Sequence, residues 1–314
     1  MIYDTIIIGA GPAGFTAAIF ATRREMKTLI ISREIGGQVV WASEIENYPG
    51  YRTIKNYEFI EKIKDQAISF GAELKEAEVK TIEKLADGNF TVATNKEEFV
   101  TKSIILAIGL SPRRLAVPGE IEFSGKGVSY CANCDGPLYR GKTVAVVGGG
   151  NAAFDAAEVL SKIASKVYLL HRNKEFKAFD LLVSDVTNRE NIEILKDIKI
   201  KEITGENKVE KISYIDNDSN EEKSITVDGV FIEIGRIAHT DLVTDFVDRD
   251  EKMQLMVNSR METKTPGIFA AGDVTNGSEF KQITVAEGQA TIAALAAYQY
   301  LQSKDSSLKT TVHY

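Results

Sequence analysis

Short apolar runs alternate with amphipathic stretches along most of the chain. Thr5–Ala10 (TIIIGA), Lys27–Ser32 (KTLIIS), Lys102–Gly109 (KSIILAIG), Thr143–Gly149 (TVAVVGG), Lys166–Arg172 (KVYLLHR) and Gly229–Gly235 (GVFIEIG) are rich in β-branched residues. Such runs predict parallel strands covered on both faces, the sheet of an α/β fold. Between them, residues 56–72 and 152–164 show helical spacing with charged faces, which predicts amphipathic helices. Residues 79–105 differ: D-G and N-K turn signals divide them into antiparallel hairpins.

One run is ambiguous. No charge occurs from Thr5 to Thr22, and that length alone would suit a membrane span. The glycines and Pro12 divide it instead into a strand (4–10), a tight turn and a helix (13–24). The same plan returns at 142–172, so the chain holds two dinucleotide-binding units. Ser111–Gly127 reads as a linker, and a second crossover falls near Gly235–Val243.

Composition narrows the function. A length of 314 residues suits two domains, and 44% hydrophobic with 26% charged residues is ordinary for a soluble chain. A net charge of −7 argues against a nucleic-acid binder. No basic segment precedes the first apolar run, so no signal peptide and no membrane association are expected.

Gly9, Gly11 and Gly14, with Pro12 and Ala13 among them, form G-x-G-x-x-G directly after a strand. The first glycine permits the turn, the second lets backbone approach a pyrophosphate, and the third lets the helix pack closely. Ser32 or Arg33 stands where a ribose-binding acid is usual, with Glu34 nearby. Gly148, Gly150 and Ala153, with Asn151, form the second loop, G-x-G-x-x-A. The strand after it ends in His171 and Arg172, and a basic residue there can accommodate the 2′-phosphate of NADP. The other reading of this loop is a fold element whose nucleotide site has decayed.

Both cysteines, Cys131 and Cys134, lie in one C-x-x-C motif followed by Asp135. Half a zinc site, a structural staple and a redox pair all use this spacing. A zinc site needs about four N or S ligands, and His171, His239 and His313 show no ligand spacing to Cys131. A disulfide closing so short a loop restricts the unfolded chain little. A redox pair accounts for more: the motif can lower a thiol pKa, and an adjacent acid can move protons. Asp135 also suits a helix N-cap.

These features sit in a longer series: GAGPAG, GGQ at Gly36–Gln38, ENYPG at Glu46–Gly50, CANCDG, GGGNAAFDAAEVL, TPGIFAAGDV and KQITVAEGQATIAA. In this order, over almost the whole chain, the sequence resembles the low-molecular-weight thioredoxin reductases. The resemblance implies two Rossmann-like, three-layer α/β domains, the second inserted in the first. Residues 1–116 and 244–314 would bind FAD, and 117–243 would carry the cysteines. Asp273 would hold the flavin ribityl or phosphate region, and Gln38 and Gln282 would lie near the flavin. Glu34, Gly37, Asn47, Gly109, Gly272, Lys281 and Ile283 are further expected FAD contacts. Cys134 would receive electrons from the flavin, Cys131 would attack the thioredoxin disulfide, and Asp135 would serve as acid and base. The family is a cytoplasmic homodimer in which the dithiol swings from flavin to surface.

The electron donor is the point of departure. NADPH-dependent members carry H-R-R-x-x-F-R-A, where this chain has HRNKEFKA: Arg172 and Lys177 remain, but Asn173 replaces an arginine. Arginine and lysine are not equivalent at a bidentate phosphate site. Asp155-Ala156 replaces an acidic pair, GRIAHT replaces GRxPNT, and Lys281 replaces an arginine. The last residues, Val312, His313 and Tyr314, offer aromatic rings able to stack on a flavin. Such tails resemble those of ferredoxin-dependent flavin thioredoxin reductases. The balance of these features leans to ferredoxin as donor, with NADPH or NADH as the alternative. Arg113, Arg114, Lys281 and the Arg172/Lys174/Lys177 cluster are the candidate docking cations. Two rivals share the architecture: a ferredoxin–NAD(P) reductase, which lacks C-x-x-C, and a peroxiredoxin-reducing flavoprotein, which carries an extra N-terminal domain. A non-enzymatic flavin-binding regulator with inert thiols is the rival of another class.

Overall fold

The computed structural model describes residues 1–41 and 44–304. The chain divides into two compact units, one of Met1–Val40, Tyr57–Ser111 and the chain from Ile237 onward, the other of Trp41–Asn56 and Pro112–Arg236.

The first unit begins with β1 (Ile2–Tyr3), β2 (Thr5–Ala10), α1 (Pro12–Thr22) and β3 (Thr28–Ile35). It continues through α2 (Asn56–Ser69), β4 (Glu73–Glu76), β5 (Val79–Lys84), β6 (Phe90–Thr94), β7 (Glu98–Thr101) and β8 (Ile104–Leu106). The uncharged run from Thr5 to Thr22 is therefore strand, turn and helix, and no helix among the described residues is long and apolar enough to cross a membrane. The expected hairpins form: β5, β6 and β7 pair antiparallel, with Gly88 at φ +83° in the first turn. That left-handed conformation favours glycine.

The second unit contains β9 (Val128–Ser129), α3 (Ala132–Asp135), β10 (Thr143–Val147), α4 (Asn151–Ser161), β11 (Lys166–Leu170), α5 (Asp180–Thr187) and β12 (Ile192–Leu195). Three antiparallel strands follow, β13 (Ile198–Thr204), β14 (Lys211–Asp216) and β15 (Glu222–Thr226), then β16 (Gly229–Ile232). The parallel sheet has the order β9-β16-β10-β11-β12. Alternate residues of β10 serve two cores. Val144 and Val146 pack with Phe154 and Leu160 of α4, while Ala145 and Val147 pack with Ile203, Ile212 and Tyr214 of the antiparallel layer. This is the physical reason for an unbroken apolar run: both faces of the strand are covered.

The first unit closes with β17 (Ile268–Ala270) and α6 (Ile283–Lys304). Its parallel sheet has the order β17-β8-β2-β3-β4. Helix α1 packs against α6, whose buried Ala286, Ala290, Ala293, Ala294 and Ala297 allow close approach. Sheet on one side and α6 on the other explain why α1 is apolar nearly all round. Both units are thus α/β with parallel sheets, as the alternation of runs predicts.

Candidate functional site

The first glycine loop is shaped by close contacts. A β-carbon at Gly9, where φ is +114°, would lie 2.2 Å from the Ala107 carbonyl oxygen. One at Gly14 would lie 1.9 Å from the Gly9 carbonyl oxygen, so this glycine lets α1 settle on the turn. Gly11 is different. Its β-carbon would meet only the Gly37 Cα, at 3.8 Å, so open space remains for a ligand. Gly11 caps α1 without a side-chain hydrogen bond, and Pro12 follows in the first turn. The first-turn N–H groups are free of any capping side chain and suit an anion.

Some of the other expected FAD contacts of this unit lie against that turn: Gly37 faces Gly11 and Gly272 faces Ala13. Gly36 donates its N–H to the Ala10 carbonyl at 2.7 Å, which brings Gly37 opposite Gly11. Gln38 donates from Nε2 to Asp273 Oδ2 at 3.0 Å, joining two expected flavin contacts far apart in sequence. Gln289 of α6, which motif reading passes over, accepts the Gly272 N–H at 2.9 Å. Gln282 and Ile283 open α6. Lys281 Nζ donates to the carbonyls of Thr275 and Ser278 at 2.9 and 2.7 Å and so braces the preceding turn. Gly109, at φ +62°, faces open space. Glu34 is exposed at the end of β3 and pairs with Arg33. Asn47 belongs with the second unit. The open anion-binding turn and the joined Gln38–Asp273 pair fit FAD.

In the second unit Cys131 and Cys134 form a disulfide with Cα atoms 5.3 Å apart, and both residues are half-buried. Cys131 is the N-cap of α3, its sulfur accepting the Cys134 N–H at 3.2 Å. Asp135, on the same turn, is buried. The Ser129 hydroxyl donates to Asp135 Oδ2 at 2.6 Å and accepts the Cys131 N–H at 3.1 Å. Asp135 Oδ1 is buried with no partner among the described residues. Burial pushes this carboxyl above its usual range, opposed by the Ser129 hydrogen bond. Asp135 makes no side-chain cap to the helical turn that follows. Its carboxyl is therefore available to hold a proton beside the disulfide. No group of three or more metal-ligating side chains occurs among the described residues.

The second glycine loop keeps the fold of the first. A β-carbon at Gly148 would lie 2.4 Å from the Glu233 carbonyl oxygen, while Gly150 faces open space and caps α4 without a side chain. Ala153 is buried against Gly148. Asn151 Oδ1 accepts the Phe179 N–H at 2.9 Å and ties down the start of α5. The His171 ring is buried under Gly149, with Nε2 2.9 Å from the Glu175 carbonyl. Arg172 and Lys177 are exposed, and neither forms an ion pair among the described residues. Lys174 is held by Asp197 and Asp218 at 3.2 and 2.9 Å. His313 and Tyr314, the expected flavin-stacking tail, lie outside the described residues.

Two dinucleotide folds, one with a C-x-x-C disulfide beside a buried carboxyl, define a flavin-linked disulfide oxidoreductase. Residues 3–290 match the pyridine nucleotide-disulphide oxidoreductase family. The chain is 39% identical to thioredoxin reductase of Bacillus subtilis, over 98% of each chain. It is also 39% identical to that of Treponema pallidum, over 96% of this chain and 98% of the relative. The crystal structure of thioredoxin reductase from Streptococcus pyogenes superposes with a TM-score of 0.92 at 36% identity, covering 96% of this chain and 99% of that one. The chain belongs to the pyridine nucleotide-disulphide oxidoreductases and, within them, to the thioredoxin reductases, as an FAD-dependent enzyme.

Proposed function

We propose that this chain reduces the disulfide of thioredoxin, carrying electrons from NADPH through FAD to the Cys131–Cys134 disulfide. The observation that carries the reading is the half-buried disulfide with Asp135 buried on the same turn and hydrogen-bonded through Ser129. FAD, when bound, supplies the two electrons that open the disulfide. The chain's own residues do the rest. The Gly9–Gly14 turn and the N-terminus of α1 receive the pyrophosphate, and Asp273, oriented by Gln38, serves the ribityl or phosphate region. Cys134 faces the flavin, Cys131 attacks thioredoxin, and Asp135 gives and takes the proton. The domain division into 1–116 plus 244–314 and 117–243, and a cytoplasmic homodimer, belong to the same reading.

For the donor, NADPH is favoured over ferredoxin. Arg172 and Lys177 are exposed and without ion pairs among the described residues, next to a glycine loop that retains open space at Gly150. Lys177 donates its N–H to the Gly149 carbonyl at 2.8 Å, which fixes this cation to the loop. No acid follows β11, which favours NADPH over NADH. Ferredoxin remains the second reading, because Asn173 and the engagement of Lys174 leave two cations where the NADPH-dependent pattern has more. The test is anaerobic titration of the oxidised flavin with NADPH, NADH and reduced ferredoxin in turn. Rapid bleaching by micromolar NADPH is expected, and bleaching by ferredoxin alone reverses the donor assignment.

A further inference from the structure

Asn173 stands where an arginine is usual, and the fold brings a lysine from another strand alongside it. Strands β11 and β12 are parallel, with Leu170 opposite Leu195, so their carboxyl ends run on side by side. Backbone hydrogen bonds continue the pairing beyond both strands. The Asp197 N–H donates to the Asn173 carbonyl and the Ile198 N–H to the His171 carbonyl, each at 3.2 Å. Lys196 therefore leaves β12 beside the segment His171–Asn173. Its ammonium lies over the Phe176 ring, 4.5 Å from the centroid. Phe176 packs in turn on His171, with ring centroids 5.2 Å apart, and His171 is buried under Gly149. A continuous line of contacts thus joins the second glycine loop to Lys196.

We propose that Lys196 is a specificity-determining residue for the 2′-phosphate of NADPH: carried on the Phe176 ring at the carboxyl end of β12, its ammonium joins Arg172 and Lys177 in place of the arginine that Asn173 replaces. The inference rests on NADPH as the electron donor.

Position, charge and restraint support this role. In open α/β sheets a ligand binds outside the carboxyl ends of the strands, and the 2′-phosphate is read at the end of the strand that follows the glycine-loop helix. That strand is β11, and Lys196 extends its neighbour at the same end. Lys196 forms no ion pair among the described residues. The nearest acid in sequence, Asp197, is engaged by Lys174 at 3.2 Å and by the Asn217 amide at 2.9 Å. Lys174 thus neutralises the acids of this corner, Asp197 and Asp218, and the Lys196 charge stays uncancelled. The ring holds the ammonium by cation–π attraction, which restricts the flexible stem before a nucleotide arrives. A lysine suits the place because it meets a phosphate as a point charge and does not need the fork geometry of arginine.

The test uses the full-length holoenzyme and two nucleotide fragments, adenosine 2′,5′-bisphosphate and AMP, with binding measured by calorimetry. Lys196→Met keeps an apolar stem on Phe176 and removes the charge. Its Kd for the bisphosphate is expected to rise about tenfold, the loss of one charge-assisted hydrogen bond, while its Kd for AMP stays unchanged. The gap should narrow as salt is raised, as an exposed charge requires. Lys196→Arg, which returns a cation, should recover most of the bisphosphate affinity. A bisphosphate Kd in Lys196→Met equal to that of the unmodified enzyme overturns the proposal. An equal rise for both fragments also overturns it, because the lysine would then only support Phe176. Failure of the donor reading looks different: the unmodified enzyme then binds the bisphosphate no more tightly than AMP, micromolar NADPH leaves the flavin oxidised, and both readings fall.

Discussion

The Ser129 hydroxyl joins the two parts of the redox site, donating to Asp135 at 2.6 Å while accepting the Cys131 N–H at 3.1 Å. It is the one group opposing the burial that pushes Asp135 up. Ser129→Ala removes that opposition, so the carboxyl moves further upward and keeps its proton to higher pH. The basic limb of the pH–turnover profile is expected to move up. The lost acceptor of the Cys131 N–H should also cost about 1–3 kcal/mol of stability, measurable by urea denaturation. An unchanged profile would show that Ser129 does not act on Asp135.

Asp135→Asn separates activity from stability. With the proton carrier gone, thioredoxin turnover should fall roughly 100-fold or more. Stability should move the other way as pH rises. The folded-state pKa of Asp135 lies above its unfolded value, so the folded chain binds more protons between the two. The stability this group contributes is complete below the unfolded pKa and is lost as pH rises through the folded one. The asparagine variant lacks that loss. Denaturation midpoints across pH should therefore show it gaining on the parent from acid to alkaline conditions.

The two cysteines have separable tasks. Cys131→Ser should leave anaerobic flavin reduction by NADPH at its normal rate and reduce thioredoxin turnover to background. Rapid-mixing bleaching and a coupled thioredoxin assay read the two steps independently. Normal turnover in this variant would remove Cys131 from its assigned role.

The extent of what could be read in the sequence follows from the physics of each element. The repeat at 4–32 and 142–172 was visible because glycine turns and doubly buried strands leave marks that tolerate little substitution. Asp135 was visible because it adjoins the cysteines. Ser129 was not, since one hydroxyl among many becomes special only when folded onto Asp135. The layer β13–β15 carries lysines and glutamates on its exposed positions and lacks the continuous apolar runs that mark the parallel sheets. A histidine after a strand suits a phosphate or a core equally well, so the packing of the His171 ring against Gly149 could not be read from the sequence.

The glycines make different predictions at equivalent places. Gly14→Ala sets a β-carbon 1.9 Å from the Gly9 carbonyl oxygen, where backbone must move. We expect flavin-poor protein destabilised by roughly 1–3 kcal/mol, the usual cost of overpacking. Gly150→Ala meets nothing within 4 Å, so the protein should fold and hold FAD normally. Only an approaching nucleotide would sense it. Flavin content after gel filtration and the KM for NADPH distinguish the two.

The donor assignment can be tested one cation at a time. Arg172 and Lys177 are exposed beside the second loop, and neither forms an ion pair among the described residues. Each has a charge to offer a 2′-phosphate. Charge-assisted hydrogen bonds contribute about 1.5–3 kcal/mol, so Arg172→Ala or Lys177→Ala should raise the KM for NADPH about tenfold or more. Lys174 serves as the control, because Asp197 and Asp218 already hold it. Lys174→Ala should leave that KM within about twofold, in keeping with the small worth of exposed pairs. The KM for NADH, which lacks the 2′-phosphate, should change little in all three. Equal effects on both nucleotides would mean that the cations act on the loop itself. No effect on either would withdraw the phosphate from this cluster and return the donor question to ferredoxin.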